Sequence, residues 1–528
     1  MNGLLSKHVF LLLAKATSFS VRFFISEMRG NRRRDSYDFT YLLEKCRAIN
    51  SLREVHAQII TGGYGHNPFL GAKLMNMYIE FPNSTMEDAR KVFDHLPERD
   101  VFTWNVIIQG YATCGPLDEV LNCVSEMWAA GVTANEYTYT FVMKACGALE
   151  DVTSGELIHG QAVKCGLESN LFVGNSLVAF YGKCQEIQSS RKAFQEIPQK
   201  DIVSWNSMIS SYVDNALSNE ALVLLHAMLR DSITCAPDKA TLVSIIPACA
   251  QASAIREGLW VHSYIIKSNI TLDAALGSGL ILMYANCGRI DAARKIFDQI
   301  STKNIVVWNA MIKSYGTHGH ANEALKTFTE LQWTGMQPDG LIFLCVLSAC
   351  SHAGLVAEGR QLFKQMEEYG VEKSGEHYAC MVDLFSRAAL IEEAIEFVKT
   401  MPIQAGKDAY GAILGACRIH GNMELAEKVA EKLFVLDSEN AGRYMILAKM
   451  YEDAGRCEDA ARVRKLLREK KIRKPVGYSA IEVDYVLHRF GVEDESHPFK
   501  DLIFDTLRKL QMVMEGEWAA VDQLVAAS

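Results

Sequence analysis

The stretch IVVWNAMIKSYGTHGHANEALKTFTELQWTGMQPD, residues 305–339, contains two amphipathic segments. In the first, apolar residues recur at helical spacing until Gly316 and Gly319 break the pattern. In the second, ANEALKTFTELQWTG continues at the same spacing, and Gly335 with Pro338 ends it. Two helices of this length cannot bury their apolar faces on each other alone. Stacking against copies of the same unit does so.

Such copies are present. VFTWNVI at 101–107, IVSWNSM at 202–208 and IVVWNAM at 305–311 place Trp-Asn pairs at 104/105, 205/206 and 308/309, 101 and then 103 residues apart. The phrases DARKVF, SSRKAF and DAARKIF put Phe93, Phe194 and Phe297 at the same intervals. Cys46, Cys146, Cys249 and Cys350 recur 100, 103 and 101 residues apart. Each superperiod holds three units of about 35, 31 and 35–37 residues. The expected fold is therefore all-α: an α-solenoid of helix-turn-helix repeats with a concave face lined by the first helix of each pair. Trp104, Trp205 and Trp308 are expected to plug the seam between units. The recurring cysteines are expected to be small buried residues rather than metal ligands, because a solenoid holds them far apart.

A chain of 528 residues exceeds one ordinary compact domain, and about half of it is apolar. No apolar run is long enough to cross a bilayer, so no membrane association is expected. The fourteen cysteines include no CxxC pair, which fits free thiols in a reducing compartment. A net charge of −9 gives no general attraction to nucleic acid, so any such binding must rest on local placement of groups. Residues 1–36 carry seven Lys/Arg against two acids, and 475–528 carry four against ten. The leader at 1–35 has Lys7, Lys15, Arg22 and Arg29 among apolar and Ser/Thr residues, the composition of an organelle transit peptide. The competing reading is a secretory signal, with VFLLLA as its apolar core and AKA as its cleavage site. Unpatterned cysteines favour the transit peptide.

The alternation of unit lengths, with phrases such as DIVSWNSMISSYV, SACSHAGLVAEGRQLF and EHYACMVDLFSRA, resembles plant pentatricopeptide repeat proteins of the PLS class over about residues 36–514. Tetratricopeptide repeats keep a uniform unit and lack this alternation. In the family's terms the array covers 36–406. Its L units would be 36–67, 136–170, 239–273 and 340–374. S units would be 68–100, 171–201, 274–304 and 375–406, and P units 101–135, 202–238 and 305–339. Residues 407–474 resemble the paired E motifs, and 477–498 resembles the E+ extension, within a small irregular segment 475–528. Ala480 stands where the family usually has Trp. The resemblance implies a right-handed superhelix, organellar single-stranded RNA as ligand and RNA editing as the process.

It also implies that each unit reads one base through its fifth and last residues. Carried onto this chain, with the RNA running 5′ to 3′ along the units as the resemblance implies, Asn105/Asn135 implies a pyrimidine, C. Asn175/Asp201, Asn206/Asp238 and Asn309/Asp339 imply U, and Ser278/Asn304 implies A. Thr140/Asn170 suggests A more weakly, since L units obey the rule less well. Ala72/Asp100, Val243/Asp273, Leu344/Ser374 and Ala379/Gly406 give no reading. An Asn amide carries both a donor and an acceptor, matching the mixed edge of a pyrimidine. The competing reading of any single Asn is a helix cap or a surface polar group.

Many relatives continue into a cytidine deaminase, which needs an HxE glutamate and a CxxC pair around zinc. None of the fourteen histidines here is followed two places on by Glu, and the chain ends soon after Trp518. No Walker loop, HExxH or GxSxG occurs either. The expectation is a non-enzyme with no cofactor or metal. It would select a cytidine for C-to-U editing and recruit, through 407–514, a deaminase-bearing protein and editing cofactors in trans. A mitochondrial address is expected, with the chloroplast as alternative. Other readings are an RNA stabilisation, splicing or translation factor, and a protein-binding scaffold. His318 and His320 are expected in a solvated turn. The basic run at 462–474 is either a solvated helix end or a phosphate contact.

Overall fold

Every unit read from the sequence folds as two helices. The computed structural model describes residues 36–81, 85–230, 236–470, 478–483, 486–491 and 497–511. The leader at 1–35 and much of the segment after 474 lie outside these residues. The chain divides into two compact units, Met1–Thr271 and Leu272–Ser528. Within each, the first helices of successive repeats lie side by side, with the second helices packed along them.

The repeat at 305–339 forms helices Ile305–Thr317 and Ala321–Trp333. Gly316 does not end the first helix, as its sequence suggested. It sits in the last turn, where a Cβ would stand 3.2 Å from the Cβ of Ala349 in helix Gly340–Ala353. Its role is close approach of two neighbouring first helices. Gly319 makes the turn itself at φ +75°, in the left-handed region that disfavours side chains. His318 and His320 cap the two helix ends at this exposed turn.

The short units acquire a physical cause. Their second helices, Met86–His95, Ile187–Glu196, Ile290–Gln299 and Ile391–Thr400, have 10 residues each. The corresponding helices of the L units, Ile49–Thr61, Val152–Lys164, Ile255–Lys267 and Val356–Glu368, have 13. The difference is about 4.5 Å of helix, nearly one turn. In three short units the chain leaving the second helix drops a buried Leu96, Ile197 or Ile300 onto the first helix. Gly71, Gly174 and Gly277 receive it: a Cβ there would lie 2.8, 2.8 and 2.4 Å from those side chains.

The tryptophans close the seams. Trp104, Trp205 and Trp308 are buried, and each packs edge-on against the last aromatic of the preceding second helix. Ring centroids are 4.6 Å apart for Phe93–Trp104, 5.3 Å for Phe194–Trp205 and 4.9 Å for Phe297–Trp308. A cation lies against the same Phe ring each time: Arg99 at 4.7 Å, Lys200 at 5.0 Å and Lys303 at 4.9 Å. All three indole N–H groups lack a hydrogen-bond partner. An unpaired buried donor costs about 1–3 kcal/mol. The ring pair contributes about 0.5–1.5 kcal/mol beyond area burial. Burial of the large apolar ring is therefore what holds the seam. Arg90 and Arg294 add a second, partly exposed tie, bonding to Glu126 at 2.8 Å and Glu330 at 3.1 Å in the next unit.

Cys46, Cys146, Cys249 and Cys350 are buried, as their register implied, and burial pushes the thiols of Cys146 and Cys350 up to about 12. Beyond the last helix pair, the segment read as irregular contains an antiparallel hairpin, Tyr478–Val483 against Val486–Gly491, and a helix at 500–511. Its signal was a run of β-branched and aromatic residues in YSAIEV and VLHRFG. Among the described residues, no helix is long and apolar enough to cross a membrane.

Replacing Trp308 by Ala is expected to cost about 3–5 kcal/mol, the range for a truncated core aromatic. Hydrogen-exchange protection should fall first in helices Ile290–Gln299 and Ile305–Thr317. Arg294→Ala should cost under about 1 kcal/mol, as an exposed ion pair does. Equal losses from the two variants would refute the aromatic seam.

Candidate nucleic-acid interface

The last residue of each unit is also the N-cap of the next unit's first helix. Asn135, Asn170, Asp201, Asp238, Asn304 and Asp339 all accept a hydrogen bond from a backbone N–H in that first turn. Capping satisfies a donor that the helix itself leaves open. These last residues are helix caps, whereas Asn105, Asn175, Asn206 and Asn309 lie inside their helices, and capping does not exhaust the last residues. A carboxamide or carboxylate has a second polar atom, and the cap uses only one.

In three units the fifth residue is bonded to that cap. Asn105 Nδ2 donates to Asn135 Oδ1 at 2.9 Å, Asn175 Nδ2 to Asp201 Oδ1 at 3.2 Å, and Asn206 Nδ2 to Asp238 Oδ1 at 3.2 Å. A hydroxyl three residues after the cap joins two of these pairs. Thr138 Oγ1 lies 2.6 Å from Asn105 Oδ1, and Thr241 Oγ1 lies 2.7 Å from Asn206 Oδ1, each donating to the amide oxygen. Ser204, at the equivalent place, bonds Asp201 Oδ1 at 2.9 Å instead, and Asn175 Oδ1 stays buried without a partner. The inner oxygen of the cap is occupied in the same way each time. What differs is the outer atom, an amide N–H₂ donor in Asn135 and a carboxylate oxygen acceptor in Asp201 and Asp238.

Burial works against ionising Asp201 and Asp238. The backbone and hydroxyl donors of Ser204 and Thr241, with the amides of Asn175 and Asn206, outweigh it and hold both carboxyls below their ordinary value. Both caps are therefore anionic at neutral pH.

The other candidate pairs are not joined. Asn309 accepts from the Cys345 thiol at 3.2 Å, and Asp339 Oδ1 takes the N–H of Ile342 at 2.9 Å. The residue three after this cap is Ile342, which has no hydroxyl to bridge the two. Ser278 bonds its own helix at Ala275 O, 3.2 Å, and Asn304 caps Val307 at 3.2 Å. Thr140 is likewise turned back onto Glu136 O at 2.8 Å, away from Asn170.

A further row escaped the sequence reading. In the first compact unit the second residue of five successive first helices is a large exposed apolar group, Phe69, Phe102, Tyr137, Phe172 and Val203, before Ala240; in the second unit Ala275 is followed by exposed Val306 and Leu341. Phe102 and Phe172 are each 56% exposed although aromatic, while Asn105 and Asn175 three residues on are only 8% exposed. Positions i and i+3 share a helix face, so each apolar group flanks the polar pair of its own unit. Tyr137 and Phe172, from adjacent units, have ring centroids 6.2 Å apart at 30°. The signal was an apolar residue recurring just after each cap, hidden because an apolar residue in a helix reads as core. The face thus alternates flat apolar surface with paired donors and acceptors, the two features that hold unstacked bases.

Comparison with known proteins identifies the repeat. The profile of the PPR repeat family matches residues 99–148, and that of the PPR repeat matches 203–233, 306–336 and 342–371. The E motif profile matches 420–482. The pentatricopeptide repeat-containing protein CRR2, chloroplastic, of Arabidopsis thaliana is 35% identical over 468 residues, covering 88% of this chain and 71% of that protein. A putative mitochondrial pentatricopeptide repeat-containing protein of the same plant is 34% identical, covering 94% of this chain and 80% of its own length. Among solved structures, the pentatricopeptide repeat protein PPR10 in complex with an 18-nucleotide psaJ RNA element superposes with a TM-score of 0.63 at 15% identity, covering 87% of this chain and 72% of that one. The crystal structure of PPR10 from maize gives 0.53 at 17% identity, covering 86% and 71%.

Asp238→Ala removes a cap and should cost about 1 kcal/mol. Because the folded carboxyl is held below its ordinary value, this contribution is present at neutral pH. It is lost as the pH falls through the depressed folded value. Urea denaturation of wild type and Asp238→Ala should therefore differ at pH 7 and converge in strong acid. A gap that widened on acidification would contradict the assignment.

Proposed function

Because this chain belongs to the pentatricopeptide repeat protein family, we propose that it is a sequence-specific, non-enzymatic binder of organellar single-stranded RNA that selects a cytidine for C-to-U editing. The observation that carries the reading is the cap geometry. With the inner oxygen of the cap engaged, Asn135 offers a donor outward and Asp201 and Asp238 offer an acceptor. Cytosine has an unprotonated ring nitrogen on its pairing edge and uracil a ring N–H. An outward donor suits the first and an outward acceptor the second. Asn105/Asn135 then reads C, and Asn175/Asp201 and Asn206/Asp238 read U. Asn309/Asp339 follows the same chemistry once a base bridges the unpaired side chains. Ser278/Asn304 places a compact hydroxyl beside an outward donor and suits adenine, and Thr140/Asn170 is its weaker counterpart. The exposed residues Phe102, Tyr137 and Phe172 supply stacking surface between these pairs.

Editing rather than simple protection of the RNA is supported by the E motif match at 420–482. Residues 407–474 would form the paired E motifs and recruit, together with 475–514, a deaminase-bearing protein and editing cofactors in trans. The basic leader would direct the chain to an organelle, for which we favour the mitochondrion. Relatives carry both chloroplastic and mitochondrial names.

The decisive test swaps Asn309 and Asp339 for Ser and Asn. In binding to a series of RNAs differing at one base, preference at that base should move from U to A. A gain of one base contact over the mismatch is worth about 1–3 kcal/mol, so the ratio should invert by about tenfold or more. An unchanged preference would overturn the pairing reading. Separately, deletion of 475–528 should abolish editing in organelles while leaving RNA affinity nearly intact. A large loss of affinity would count against recruitment.

A further inference from the structure

Past Asn309 the fifth register carries no polar side chain. At the same fifth register, the next first helices carry Leu344, Ala379 and Gly411. Across these three, in helices Gly340–Ala353, Gly375–Arg387 and Lys407–His420, the face opens into a cavity of about 670 Å³. That lies within the usual range of small-ligand pockets.

The lining mixes apolar groups such as Leu344 and Ile419 with polar ones that are incompletely satisfied. Arg443 reaches in from helix Ala441–Asp453 and is only 15% exposed. Its Nε donates to Asp437 at 3.1 Å, while its Nη2 stops 3.7 Å from Asp408. The guanidinium occupies the space of the absent side chain, for a Cβ at Gly411 would meet its Nη1 at 1.6 Å. The hydroxyl of Ser386, 1% exposed, lines the same cavity and has no hydrogen-bond partner. An orphaned buried hydroxyl is uncommon in a finished core and fits a site completed by a ligand. At the rim, Arg418 has no carboxylate within ion-pair distance among the described residues, and Glu376 and Asp408 stand where earlier units carry Val306 and Leu341.

We propose that this cavity takes one unstacked nucleotide of the bound RNA, 3′ of the uridine set against Asn309, and that it selects a base carrying an exocyclic amino group. The inference rests on the RNA-binding reading above. The base enters over Ala379 and lies against the Arg443 guanidinium, which fills the space above Gly411, and the phosphate stays outside at Arg418. Arg443 donates to the ring acceptors of the base and Ser386 adds a hydroxyl. Glu376 and Asp408 accept from an amino group. Cytosine, adenine and guanine each present an amino donor beside an acceptor. Uracil has one ring N–H set between two carbonyl oxygens, so it can serve only one of the two rim carboxylates and turns a carbonyl toward the other, whereas an amino group has an N–H for each.

The test measures binding of the full chain to an RNA bearing the proposed address and extended on its 3′ side. Single abasic sites are placed at each nucleotide beyond the Asn309 uridine. One position is expected to weaken binding about tenfold when its base is removed, about 1.4 kcal/mol. Restoring C, A or G there should recover the loss, and U should not. Ala379→Leu, which repeats the Leu344 found one unit earlier, should fill the cavity. It should abolish this sensitivity while keeping discrimination at the Asn309 uridine. Gly411→Ala, which displaces Arg443, should do the same, and retained helical circular dichroism shows that either variant is folded. Uniform insensitivity beyond the uridine, equal recovery by U, or unchanged sensitivity in both folded variants overturns the cavity proposal while the address is still read. Loss of discrimination at the uridine in wild type instead overturns the RNA-binding reading on which it rests.

Discussion

A pair of short helices cannot cover both of its apolar faces, and the contact that relieves this is the seam between one unit's second helix and the next unit's first. Phe93, Phe194 and Phe297 receive Trp104, Trp205 and Trp308 edge-on. These seams join each S unit to the P unit that follows it, including Asn105, Asn206 and Asn309 one residue after each Trp. A Trp locked into the seam fixes the rotation of its helix, and rotation decides where the neighbouring Asn points. Packing and recognition are therefore set by adjacent residues on different faces of one helix.

The cap is the second shared constraint. A residue that must cap a helix is held to about one geometry, because its side-chain oxygen is tied to a backbone N–H in the first turn. Placing a base-reading group there gives it a fixed direction without further packing. The bond from Asn105, Asn175 or Asn206 across to the cap then rigidifies both members, so little order remains to be gained on binding. The units that lack this bond, at Ser278 and Asn309, keep both side chains independently placed. In two of the bonded units a hydroxyl three past the cap, Thr138 or Thr241, also donates to the Asn, where the unbonded units have aliphatic Val307 and Ile342; Asn175 and Asp201 meet without such a bridge.

Much of the fold could be read beforehand because its signals are local and repeated. Period, helix count per unit and the burial of Cys146 or Trp308 follow from spacing alone. The hairpin after residue 478 was less visible, since a single short pair of strands offers no repetition to average over. Gly316 was misread as a breaker because a glycine near a helix end looks the same whether it stops the helix or admits a neighbour such as Ala349. Within the candidate site, the fifth and last residues are reachable through the repeat, whereas nothing in the helical pattern separates Phe102 and Phe172 from core residues.

The sequence by itself determined the all-α repeat, the register of its units and the residue types at the fifth and last places. These depend on periodicity, which is carried along the chain. The tertiary structure decided which of those residues meet, which oxygen the cap consumes and which polar atom is left facing outward. It also decided that Ala379 and Gly411 leave a cavity, with Arg443 and the unpartnered Ser386 on its walls. Those outcomes depend on side chains from different units meeting within about 3 Å, the length of a hydrogen bond, a precision that spacing along a chain does not supply.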